Sequence, residues 1–191
     1  MARKAATWLL LALGSAIGLL GGGAAPATAM GCQNTETPAL DQALGDFDAS
    51  VRCLINEERV AHGRRALRPN GLLRDAAYEY ASSMEAGRFF SHYGDFFGHP
   101  ASASPVSRLR QVGYIHPHTA WIIGENLHWS TVEGSTPAAT VAAWMNSAEH
   151  RKYLLKRKFR DLGVAAIRGI PYDPSQTDGV TVATEYGFRS S

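Results

Sequence analysis

The sequence carries no excess of charge once its first segment is set aside. Residues 1–29 hold two basic residues, Arg3 and Lys4, and no acidic one, so the rest of the chain balances 17 basic against 17 acidic side chains. A neutral chain offers no global attraction for nucleic acid or for an anionic membrane surface. Long apolar runs are also scarce. The stretch from Ala5 to Leu20 is too short, and too broken by glycine, for a lasting membrane span. No internal repeat or low-complexity tract follows it, and no local ligand pair such as H-E-x-x-H occurs. Cysteine is limited to Cys32 and Cys53.

What is present begins with a leader. A basic start, an apolar middle and the small-residue exit Ala27-Thr28-Ala29 predict a secretory signal peptide over residues 1–29 and hence a secreted, extracellular protein with no transmembrane span in its mature form. About 160 residues then remain, enough for one domain with an adequate core. They divide into an N-terminal arm, 30–46, and a domain, 47–191. Two cysteines in an exported chain favour a Cys32–Cys53 disulfide. The alternatives are free thiols or a lipid anchor at Cys32, and an acylated Cys32 could not be bridged.

Periodicity organises the domain. Phe47, Val51, Leu54 and Ile55 form one helical stripe that ends near His62-Gly63, with Asp46 or Asp48 placed to start it. Pro69-Asn70-Gly71 reads as a turn in which Asn70 caps a second helix. That helix carries Leu73, Ala76, Ala77, Tyr80 and Met84, with Gly87 to close it. A loop precedes a short helix over 104–111. Residues 122–129 read as a strand. Thr136-Pro137 starts a helix and Ser147 caps another. "LGVAAIRGI" and "GVTVATEYGF" read as two strands joined by a hairpin loop over 171–179. Helices first and strands last argue for an α+β fold.

One stretch, "IIGENLHW", places a carboxylate, Glu125, inside an apolar run. Burying that charge is costly unless it is paired or coordinates a cation. His92 and His150 are its candidate partners. Two imidazoles and one carboxylate suit Zn²⁺ with an open position, and they suit acid–base work equally. Spacing alone does not bring them together, and the bland reading is a surface His, a paired strand Glu and a helix His. Asn126 can orient Glu125 or satisfy local backbone. The basic segment from Arg151 to Arg160 reads as a solvated helix end or as a contact for anionic envelope polymer.

The ordered set "N-x-x-R", "F-F-S-H", "G-E-N-L", "W-M-N-S-x-x-H-R" and "L-G-V", between Cys53 and Gly187, resembles the bacterial branch of the CAP superfamily. These are the cysteine-rich secretory, antigen 5 and pathogenesis-related type-one proteins, also called SCP domains. The resemblance implies a three-layer α-β-α sandwich with a small antiparallel sheet and a cleft lined by His92, Glu125 and His150. It makes those three the candidate metal ligands, with Zn²⁺ as the metal. Many relatives carry a second glutamate where this chain has Ser147, which weakens the case for a metal site like theirs. Asn56 and Arg59 match N-x-x-R and read as structural.

The resulting expectation is a secreted ligand-binding module rather than an enzyme. Its partner would be a small hydrophobic ligand or a cell-envelope component, with His92, Glu125, His150, Asn126 and Ser147 at the cleft. The alternatives are a metal-assisted hydrolase acting on peptide or cell-wall bonds, and a purely structural or interaction protein whose cleft is vestigial.

Overall fold

The computed structural model describes residues 31–94, 104–173 and 175–190. The predicted leader over 1–29 and His99 lie outside them. The first stripe becomes the inner face of α1 (Leu44–Ala61), with Phe47, Val51 and Ile55 fully buried. This helix begins at Leu44, behind Ala43, with no side-chain cap. Asp46 sits in its first turn, where a negative charge suits the dipole. Asp48 points inward and accepts a hydrogen bond from Ala166 N at 2.8 Å, so it ties helix to sheet instead of starting the helix.

Asn70 caps α2 (Gly71–Gly87) by accepting from Leu73 N at 3.2 Å. The helix runs through Gly87, and Arg88 takes the left-handed position after it, with φ 55°. Ser104 and Ser107 form a reciprocal capping box on α3 (Pro105–Gln111). Thr136 caps α4 (Pro137–Asn146), and Ser147 caps α5 (Ala148–Leu154).

The four strands are β1 (Arg68–Pro69), β2 (Trp121–Ser130), β3 (Asp161–Arg168) and β4 (Val180–Arg189), in the spatial order β1-β3-β4-β2. The three long strands are antiparallel, as expected. The two-residue β1 adds a parallel pairing with β3, so the sheet is mixed. Of its residues, Pro69 falls in the stretch read as a turn; the pairing forms because Arg68 N and Asn70 N reach the carbonyls of Arg160 and Leu162.

Alternation along the strands sorts the core into two layers. Leu162, Val164, Val182 and Tyr186 pack with α1, α4 and α5. Ala165, Ala183 and Leu127 pack with Ala77, Tyr80 and Met84 of α2. Helices therefore cover both faces, giving the α-β-α sandwich. At Gly163 the approach of α2 is closest: a Cβ there would stand 2.1 Å from the backbone of Leu73.

Cys32 and Cys53 are bridged across a separation of 21 residues. The sulfur of Cys32 is thus committed, and lipid anchoring at that residue is not its state here. The arm is packed, since Ala39 is fully buried and its N–H donates to Ser135 O at 2.8 Å. Asn56 bonds both the N–H and the C=O of Leu67. Arg59, fully buried, donates to carbonyls at Arg65, Leu154 and Lys156, tying α1 to the end of α5. Among the described residues no helix is long and apolar enough to cross a membrane.

Candidate functional site

Strand β2 lies at the margin of the sheet, and its alternation sends Glu125 and Asn126 to opposite faces. Glu125 faces the α2 layer, with its side chain 2% exposed. His92, just beyond α2, donates from Nδ1 to Glu125 Oε1 at 2.6 Å. That bond to a carboxylate places the ring proton on Nδ1. The other carboxylate oxygen, Oε2, pairs with the guanidinium of Arg108 from α3. Arg108 is 1% exposed and lies 3.3 Å over the ring centroid of Tyr80. Tyr80 in turn donates to Ser91 O at 2.6 Å, which fixes the segment carrying His92.

A second carboxylate completes the cluster. Glu185 on β4 pairs in register with Glu125, is fully buried, and has Oε1 3.8 Å from Arg108. Burial, and then the charge of Glu125, push its carboxyl well above the usual range, while Arg108 opposes this.

His150 approaches from the other layer. Its backbone carbonyl accepts from Asn126 Nδ2 at 3.1 Å. Burial, and then the charge of His92, lower its imidazole below the ordinary value. Asn126 is fully buried and also donates to Tyr186 Oη. It therefore fastens α5 to β2, and orienting Glu125 falls to His92 and Arg108. Ser147 Oγ is engaged as the cap on His150 N.

A cavity of about 290 Å³ opens at this margin, lined by His92, Tyr93, Val106, Ile123, Glu125 and Tyr153 among others. Tyr153 comes from α5 and lies against Gly124, where a Cβ would meet its ring at 2.5 Å. That contact gives the glycine before Glu125 a physical reason. His150, Asn126 and Ser147 are not among its described lining residues.

The residues present do not fit a metal held by His92, Glu125 and His150. Both oxygens of Glu125 are engaged, and the three side chains are not among the described groups whose donor atoms lie within 4.8 Å of one another. The described group that meets that distance is Cys32, Cys53 and Glu57, whose thiols are oxidised to the disulfide. Sequence reasoning missed Arg108, Tyr80, Tyr153 and Glu185. For Glu185 a signal existed, because "VATEYGF" places a carboxylate in an apolar strand just as "IIGENL" does.

A model of the cysteine-rich secretory protein (CAP) family matches residues 53–172. An uncharacterized protein of Bacillus subtilis, YkwD, is 33% identical over 144 residues, covering 75% of this chain and 50% of that protein. A second from the same organism, the uncharacterized membrane protein YlbC, is 34% identical over 115 residues, covering 60% and 30%. The chain thus spans half or less of the length of these relatives. An extracellular SCP-domain protein from Bacillus anthracis matches with a TM-score of 0.59 at 23% identity, over 76% of this chain and 41% of that one. An outer surface protein of Borrelia burgdorferi matches with a TM-score of 0.54 at 20% identity, over 73% and 90%. At such identities these two structures bear on the fold alone.

Proposed function

The chain belongs to the cysteine-rich secretory protein (CAP) family, and from that premise we propose that it is an exported binding module whose cleft takes a small, largely apolar ligand from the cell envelope. The observation that carries this reading is the make-up of the cavity. Its walls are largely apolar or aromatic, through Tyr93, Val106, Ile123 and Tyr153, and His92, with Ser104 and Glu125 also in the lining, supplies a polar pole. A pocket of this kind binds by burying an apolar body and orients it through few polar groups.

The pole is specific in its chemistry. With Nδ1 donating to Glu125, Nε2 is the acceptor of a neutral His92 ring, and no partner for it occurs among the described residues. A ligand hydroxyl or amide N–H matches that acceptor. Glu125 and Arg108 hold the ring in one orientation, so little ordering cost falls on binding. The basic leader start, the apolar run and the disulfide support export. The metal-assisted hydrolase reading has less support, because both oxygens of Glu125 are engaged with His92 and Arg108.

Incubation of the mature protein with total envelope lipid extract, followed by native mass spectrometry, tests the reading. A bound species of defined mass is expected with wild type, depleted in His92→Ala and in Tyr153→Ala. No capture by a folded wild-type protein would end it.

A further inference from the structure

We infer that Arg108 is the resident cation of this cleft: its guanidinium fills the ground beside Glu125 and Glu185 that a divalent metal would need, leaving the carboxylates to position His92. The inference concerns the cleft described above but stands without the identity of any ligand.

Geometry is the first support. Glu125 and Glu185 project from neighbouring strands on the same face of the sheet, directly opposite each other in register. Two buried carboxylates so placed demand a positive charge. A single nitrogen of Arg108, Nη2, serves both: it is bonded to Glu125 Oε2 and stands 3.8 Å from Glu185 Oε1. Its carbon lies 3.3 Å above the Tyr80 ring, so the cation is held on one face by aromatic contact. A guanidinium keeps its charge at every physiological pH and cannot be titrated away. Arg108 also donates to the backbone carbonyl of His92 at 3.4 Å.

The second support is spacing. Bonds of about 2.0–2.2 Å to a tetrahedral zinc place neighbouring ligand atoms roughly 3.3 Å or more apart. His92 Nδ1 and Glu125 Oε1 stand at 2.6 Å, a distance that fits a shared proton and not two ligands of one ion. The arrangement therefore uses Arg108 as counter-charge, Glu125 as connector and His92 as the group offered to the cleft. Arg108 is a positioning residue that acts through Glu125.

Removing the guanidinium leaves Glu125 Oε2 and Glu185 without their cation, and a divalent ion can take the vacated ground while His92 keeps its bond to Glu125 Oε1. Zinc titration by calorimetry and by thermal shift, on wild type, Arg108→Met and Arg108→Lys, tests this. Wild type and Arg108→Lys are expected to give no saturable heat and no shift in Tm. Arg108→Met is expected to gain saturable binding and a Tm that rises with Zn²⁺ and falls back with chelator. A merely structural role would lower the Tm of Arg108→Met without making it depend on metal. Saturable Zn²⁺ binding by wild type that is lost in Glu125→Gln overturns the assignment, as does a folded Arg108→Met that ignores Zn²⁺. If Arg108→Met does not fold alone, refolding with Zn²⁺ replaces the titration: recovery supports the inference and failure to recover overturns it. Lipid capture can fail while this result holds, and the reverse, so the two readings are separable.

Discussion

Glu185 sits directly across the β2–β4 pair from Glu125, and both carboxylates are buried beside one guanidinium. Like charges opposed in this way are destabilising. The folded protein meets the problem in two ways: Arg108 supplies a positive charge to both side chains, and burial, then Glu125, raises the carboxyl of Glu185 and so favours its neutral form.

The consequence for stability has a definite sign. A carboxyl raised in the folded state binds its proton more tightly there than in the unfolded chain. Its contribution is fully present below the ordinary glutamate value, about 4.3, and is lost as pH rises through the folded value. Glu185→Gln keeps the shape without the charge. Its Tm relative to wild type should climb steadily as pH is raised from 4 towards neutrality. A difference that stays constant across that range would refute the neutral-acid assignment.

His128 works in the opposite direction. It lies edge-on to Trp144 at 6.3 Å, and burial, followed by the charge of His150, lowers its imidazole to about 4. A depressed imidazole gives stability that is complete above its ordinary value near 6.5 and lost as pH falls towards about 4. At about 1.4 kcal/mol per unit the loss amounts to roughly 3 kcal/mol over that window. Denaturant melts of His128→Phe should lose less stability than wild type between pH 6.5 and 4. Parallel losses in the two proteins would count against it.

The Cys32–Cys53 bridge should be felt in stability and in mass. For a loop of this length the chain-entropy model gives about 3 kcal/mol. Reduction, or Cys32→Ser with Cys53→Ser, is expected to lower Tm clearly while the fold survives at room temperature. The untreated protein should weigh two hydrogens less than the reduced form. An unchanged melt after verified reduction would deny the bridge its role.

Most of the architecture is legible in the sequence because its signals are local. Asn70, Ser104, Thr136 and Ser147 all cap helices near where their sequence neighbours indicate, and periodicity separates helices from strands. The start of α1 departs from the sequence expectation because the sheet claims Asp48 through Ala166 N. The cleft is half legible. "GENL" marks Glu125 by placing a charge among apolar residues, and "FFSH" supplies its imidazole. Arg108 leaves no comparable mark, since an arginine on a short helix usually faces solvent and only tertiary packing turns this one inward over Tyr80. Asn126 reads as a partner of Glu125 because they are sequence neighbours, yet the pleat directs them to opposite layers.

Gly163 lies in the same cross-strand row as Glu185 and Glu125, one strand further into the sheet. The missing methyl group there sets how near α2 can ride, and α2 carries Tyr80, the aromatic floor beneath Arg108. A single added carbon at that position would push outward on the first turn of the helix, against Leu73, and the displacement would be delivered further along it to the ring supporting the guanidinium. The tightness of the charge cluster is thus governed in part from a residue with no side chain of its own, by the thickness of one hydrogen atom.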